Sequence, residues 1–166
     1  PSLMALLEAG GQWKELVEAQ AKMMQHLESR GQNEEAAALG VQRARLLENA
    51  LGDRAQAIEK YGEVLTKNAT DADALAALEN LLSDQQHREA AARALLPAHQ
   101  TAREPRKQIQ VLTVIADATP DSLEKIRVWR MVADIQTHQL RQPEQAFSAL
   151  ASALRLNPLD LELREA

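Results

Sequence analysis

Residues 51–71 read LGDRAQAIEKYGEVLTKNATD, and 89 positions later residues 140–160 read LRQPEQAFSALASALRLNPLD. Leu51/Leu140, Gln56/Gln145, Ala57/Ala146, Leu65/Leu154, Asn68/Asn157 and Asp71/Asp160 are identical, with no gap between the copies. A match at fixed offset marks supersecondary units that recur along a chain and bury their apolar faces against neighbours. Such stacking favours a binding scaffold over an enzyme as the first expectation.

Outward from the two copies, helical periodicity runs almost end to end, and its interruptions carry stop-and-start chemistry. A short helix over 2–9 ends at Gly10 and Gly11. The next spans 12–29, with Trp13, Leu16, Val17, Met23, Met24 and Leu27 on its buried side and Gly31 beyond it. A third helix, 33–51, presents Ala37, Leu39, Ala44 and Leu47 and is closed by Gly52. Asp53 caps a fourth over 54–67, and Asp71 a fifth over 72–83, by accepting first-turn N–H groups. A sixth runs over 87–101 and should be bent or split by the internal Pro97. Pro105, Pro120 and Pro143 suit first turns, where the missing N–H costs nothing, and so start helices at 105–118, 120–140 and 143–157. A last partial helix begins at Leu159. The short connections make successive helices antiparallel.

Composition agrees with this reading. The 166 residues are 45% hydrophobic but only 2% aromatic, so alanine and leucine do the packing. Both lead the helix-propensity scale, and small side chains let helices approach closely. The expectation is an all-α single domain over 1–166. Pro1 already lies in repeat-like sequence and Ala166 falls inside a helix, which reads as a segment of a longer repeat protein.

At Gly52 the chain resembles the tetratricopeptide repeat family, whose unit is a helix A, turn, helix B of about 34 residues. In the first copy the turn, small residue, aromatic, Ala-Leu-like pair and terminal position of helix B fall on Gly52-Asp53, Ala57, Tyr61, Val64-Leu65 and Ala69. In the second, Ala146, Leu150, Ala153-Leu154 and Pro158 fill the matching places. Trp129 and Ala133 look like the large and small residues of helix A in the later copy, where the earlier has Gly40 and Ala44. Gly10-Gly11-Gln12-Trp13 resembles a further A-to-B turn, and 71–97 a weaker unit. The resemblance implies a right-handed α-α superhelix, a solenoid of about nine or ten antiparallel helices. Its 89-residue offset is no multiple of 34, so one odd helix, near 105–118, makes the repeat spacing irregular.

The same resemblance implies a function. A helices of the family line a concave groove that contacts peptides, and helical phase carries this to Val41, Arg45 and Asn49 and to Ala76, Asn80 and Asp84. The later helix adds Arg127, Arg130, Asp134 and His138. The lysine-and-asparagine clamp for a peptide carboxylate is not carried over, because Val41 and Ala76 stand where its cations would be. A mixed Arg/Asp/Asn groove suits a polar or charged segment, arginine being able to hold a carboxylate with two parallel bonds. The bland alternative is that these side chains only solvate the surface.

Chemistry has few openings. With no cysteine, thiolate nucleophiles, thiolate metal sites and disulfides are excluded. His26, His87, His99 and His138 include no pair at metal-ligand spacing on one helix, and no glycine cluster could cradle a phosphate. A net charge of −5 argues against a general nucleic-acid binder. The local basic stretch Arg88, Arg93, Arg103, Arg106 and Lys107 reads as a solvated face. No apolar run reaches the length of a membrane span. The leading expectation is a non-catalytic scaffold with no cofactor or metal and a protein or peptide partner. A structural spacer or self-associating segment is the second, and a helical accessory domain of an enzyme or regulator the third. The cytoplasm is the default compartment.

Overall fold

The computed structural model describes residues 3–157, and among them helix is the only regular structure. The order is α1 (Leu3–Ala9), α2 (Trp13–Ser29), α3 (Asn33–Asn49), α4 (Arg54–Lys67), α5 (Ala72–Leu81), α6 (Arg88–Thr101), α7 (Pro105–Ala118), α8 (Ser122–Asp134), a π-helical turn (Ile135–Gln139) and α9 (Pro143–Leu156). The helix expected from Leu159 lies outside the described residues. Contacts divide the chain into two compact units, Pro1–Asn80 and Leu81–Ala166.

One turn recurs five times. Gly11, Gly31, Gly52, Arg103 and Arg141 adopt positive φ at helix C-termini, between 54° and 73°. The residue after each donates its N–H back into the helix just ended: Gln12 to Leu7 (2.9 Å), Gln32 to Leu27 (3.0 Å), Asp53 to Leu47 (2.8 Å), Glu104 to His99 (3.0 Å) and Gln142 to Gln136 (2.8 Å). This left-handed cap satisfies carbonyls that the helix leaves open, and glycine is its usual occupant. The 89-residue offset therefore maps Gly52 onto Arg141, one conformation kept although the residue that suits it was not. The remaining turns use side-chain caps. Asp71 Oδ1 accepts the Ala74 N–H at 3.0 Å, and Asp121 Oδ1 the Leu123 N–H at 2.9 Å.

In the first unit α2 packs on α3 and α3 on α4. The centre of α3 is a stripe of small residues, Ala36, Ala37, Gly40, Val41 and Ala44, all buried. Against it lie Leu16 and Val17 of α2 and Ala57, Ile58, Tyr61, Val64 and Leu65 of α4. Tyr61 is fully buried, and its hydroxyl donates to Glu48 Oε2 at 3.1 Å. Burial, and then the Glu48 carboxylate, push this phenol well above the ordinary tyrosine range.

In the second unit α7 packs on both α6 and α8, and α8 on α9. The odd helix expected near 105–118 is thus α7, and three helices, α5 to α7, separate the α3/α4 pair from the α8/α9 pair. Ala57 and Ala146, at matching positions of the two copies, are both buried.

The two copies exchange bulk between partner helices. Trp129 of α8 packs with Ile126, Ala153, Leu150 and Leu154. At the matching positions α3 has Gly40 and α4 has Val64. A Cβ on Gly40 would stand 2.9 Å from Val64 Cγ2 and 3.3 Å from Met24 Cε. The missing aromatic of the earlier copy is explained: Val64 and Met24 occupy its space.

Several boundaries differ from expectation. The third helix stops at Asn49 because Ala50 to Gly52 form its cap, and the fifth stops at Leu81 rather than Ser83. The sixth begins at Arg88 and is not split: α6 continues through Pro97, its flanking Leu95, Ala98 and His99 all buried. Instead of one α-helix over 120–140, α8 starts at Ser122, past Pro120, and passes into the π-turn after Asp134. On α2 Met23 is 44% exposed, whereas the polar Gln20 is buried.

Candidate functional site

The sites anticipated from helical phase fall in different places. Arg45, Asn49 and Asn80 belong to the first unit, and Asp84, Arg127, Arg130, Asp134 and His138 to the second. Asp84 does not extend the α5 face, because it lies in the loop after α5. There its Oδ1 accepts the Gln86 N–H (2.9 Å) and its Oδ2 lies 3.2 Å from His87 Nδ1. On α8, Arg127 is exposed and Arg130 half-buried. Asp134 and His138 pair with each other, Oδ1 to Nδ1 at 3.0 Å, across the π-turn. Val41, expected on the groove, is core instead.

Arg45 and Asn49 are brought into a defined concavity. Both line a cleft of about 360 Å³ with Met4 and Glu8 of α1, Leu16 and Gln20 of α2, and Gln42 of α3. Arg45 and Gln42 also border a second cleft of about 340 Å³, lined by Glu34, Ala38, Asn68, Asp71 and Asp73. Arg45 stands between the two, its Nη2 2.8 Å from Asp73 Oδ1 of α5. This face is therefore a polar strip along α3, reached from α1 on one side and from the head of α5 on the other.

Gln20 is the residue that sequence reading passed over. It is 4% exposed, and its Oε1 is enclosed without a hydrogen-bond partner. Such a group carries a desolvation cost of about 1–3 kcal/mol. The signal was present, because Gln20 interrupts the apolar row between Leu16-Val17 and Met23-Met24.

Charge is uneven between the units. Residues 1–80 hold eight Lys/Arg against thirteen Asp/Glu, while residues 81–166 hold eleven of each. The whole net charge of −5 thus falls on the unit with the two clefts. In the second unit the basic stretch is internally engaged. Arg93 Nη2 contacts Glu89 and Glu124, both at 2.7 Å. The Arg93 hydrogen bond holds Glu124 below the usual carboxylate range. The buried His99 sits 3.0 Å from Glu104 Oε2, which also pairs with Lys107.

An apolar trough of about 760 Å³ lies on the opposite side of α2, lined by Leu3, Met4, Leu7, Ala19 and Met23 and rimmed by Glu15, Glu18, Lys22 and His26. On α9, Phe147 is 73% exposed. Among the described residues no three His, Asp or Glu side chains are grouped as metal ligands, and no helix is long and apolar enough to cross a membrane. No model of a known protein family matches the chain, and no curated protein matches it.

Proposed function

We propose that the chain is a non-catalytic interaction scaffold of tetratricopeptide-like design, whose α1, α3 and α5 present a concave face to a peptide or protein segment. The observation that carries this reading is the pair of adjoining clefts meeting at Arg45, with the buried, unpartnered Gln20 lining one of them. Recurrent turns at helix ends and the buried Ala57 and Ala146 support a repeat solenoid. On this reading Arg45 and Asn49 contact the partner from the first unit. Asn80 supplies a further polar contact there; Asp84, Arg127, Arg130, Asp134 and His138 are candidates on the second unit taken by itself. Peptides selected from a random display library should perturb the amide resonances of Glu8, Gln20, Gln42, Arg45 and Asn49. Selected binders that perturb only other residues would refute it.

A second reading, a spacer or self-associating segment, is favoured by the apolar trough between α1 and α2 and by exposed Phe147. It predicts a weight-average mass that rises with concentration in sedimentation and falls back in Phe147→Ser. A concentration-independent monomer would remove it.

A further inference from the structure

We infer that the α3 face of the first unit takes a segment bearing lysine or arginine, one cation beside Glu8 in the α1/α3 cleft and another beside Glu34 and the carboxylates at the head of α5. This rests on the scaffold reading and names the chemistry of its partner. Four acids, Glu8, Glu34, Asp71 and Asp73, line the two clefts, and Arg45 is the sole cation among the lining residues. That cation is already committed, because its guanidinium is bonded to Asp73 at 2.8 Å. Asp71 gives one oxygen to the Ala74 N–H. The Glu8 and Glu34 carboxylates have no hydrogen-bond or ion-pair partner among the described residues.

An acidic surface alone could be a solvated one, so the independent observation is decisive. Gln20 is more than nine-tenths buried, lines the α1/α3 cleft, and keeps its Oε1 without a donor. What Gln20 Oε1 lacks is a donor. An ammonium brings three and a guanidinium five, with no acceptor of their own. An anionic segment would instead face Glu8 and Glu34 and would have to draw Arg45 away from Asp73. Long-range attraction works in the same direction, since the unit carries the whole negative charge of the chain.

The test uses the full chain and two fluorescently labelled peptides of equal length, one alternating Ala and Lys, the other Ala and Glu, read by anisotropy at physiological salt. The Ala-Lys peptide is expected to bind and to lose about fivefold in affinity in Glu8→Gln/Glu34→Gln. Gln20→Leu should weaken it as well. The control Glu15→Gln/Glu18→Gln removes the same charge from the trough side of α2 and should change affinity less than about twofold. Equal losses in both charge variants would mean attraction by net charge only and would overturn the inference. Tighter binding of the Ala-Glu peptide, abolished by Arg45→Gln, would overturn the cationic partner while leaving the scaffold reading intact. If neither peptide perturbs amide resonances of α1 and α3, both readings fall.

Discussion

Gly40→Ala should destabilise the protein, although it replaces the second-worst helix former with the best. On propensity alone the change is worth about 1 kcal/mol in favour of alanine. Geometry opposes it. The new methyl would lie 2.9 Å from Val64 Cγ2, closer than real Cβ atoms come, and 3.3 Å from Met24 Cε. Met24 can move, being unbranched and soft. Val64 cannot, because a β-branched side chain within a helix has essentially one χ1 rotamer. The space beside Gly40 is only about 10 Å³, so α4 must shift as a body. Overpacking of this kind costs about 1–3 kcal/mol, leaving a net loss of up to about 2 kcal/mol after the propensity gain. For a chain of this length that is a fall of about 2–4 °C in Tm per kcal/mol, measurable by thermal and urea unfolding followed by circular dichroism. The discriminating experiment is the cycle with Val64→Ala. Once Val64 is trimmed, Gly40→Ala should become stabilising by about 1 kcal/mol, a coupling on the order of 1–3 kcal/mol. If Gly40→Ala raises Tm in the native background, or the two changes simply add, the bulk-exchange argument is wrong.

Three other outcomes follow from particular contacts. Arg141, held at φ 54° where its counterpart is Gly52, should gain about 0.5–1 kcal/mol on replacement by glycine, seen as a higher urea midpoint with unchanged slope. Tyr61 is the single tyrosine, so its ionisation can be read directly from tyrosinate absorbance. Burial raises its pKa in the folded state, so the stability it contributes is fully present below the unfolded value of about 10 and is lost as pH climbs beyond it. Tyr61→Phe should flatten that alkaline loss while costing about 1 kcal/mol at neutral pH through the Glu48 bond, and an unchanged alkaline limb would count against the assignment. Gln20→Leu should stabilise the free protein by about 1–2 kcal/mol in urea unfolding, because it removes an enclosed acceptor that has no donor. A destabilised variant would show that Gln20 is satisfied in solution.

The helical class and most element boundaries were legible because glycine, proline or a capping aspartate marks many of the places where a helix ends or starts. Arg103 and Arg141 show the limit. They form the same left-handed cap as Gly11, Gly31 and Gly52, yet no residue-type rule would choose arginine there. Helix α7 was visible through Pro105, which suits a first turn, and the 89-residue offset requires an additional helix only on the tetratricopeptide resemblance. The π-turn at Ile135–Gln139 was not, because it inserts into a continuous apolar rhythm. The candidate face was half legible. Phase put Arg45 and Asn49 on the exposed side of α3, where both line a cleft, but it put Val41 there too and extended α5 to Asp84, since phase cannot tell where a helix stops or how wide its buried arc is. Gln20 escaped because its apolar neighbours carried the reading.

The breadth of the buried arc on α3 explains why the site can sit where it does. Positions 36, 37, 40, 41, 44 and 47 are all in the core, so α3 is gripped on two sides, by α2 and by α4. What remains for other use is a narrow strip at Ala38, Gln42, Arg45 and Asn49, all exposed. Because small residues carry the grip, helix backbones lie close and the strip has little freedom to move relative to its neighbours. The bulk exchange between Gly40/Val64 and Trp129/Ala153 shows that such a grip can carry its bulk on either helix. Packing and surface on α3 are therefore separable: the strip can change its chemistry without touching the core. On the scaffold reading proposed above, a partner's preference is set by those few side chains together with Glu8, Gln20 and Asp73, which the neighbouring helices bring to its edges.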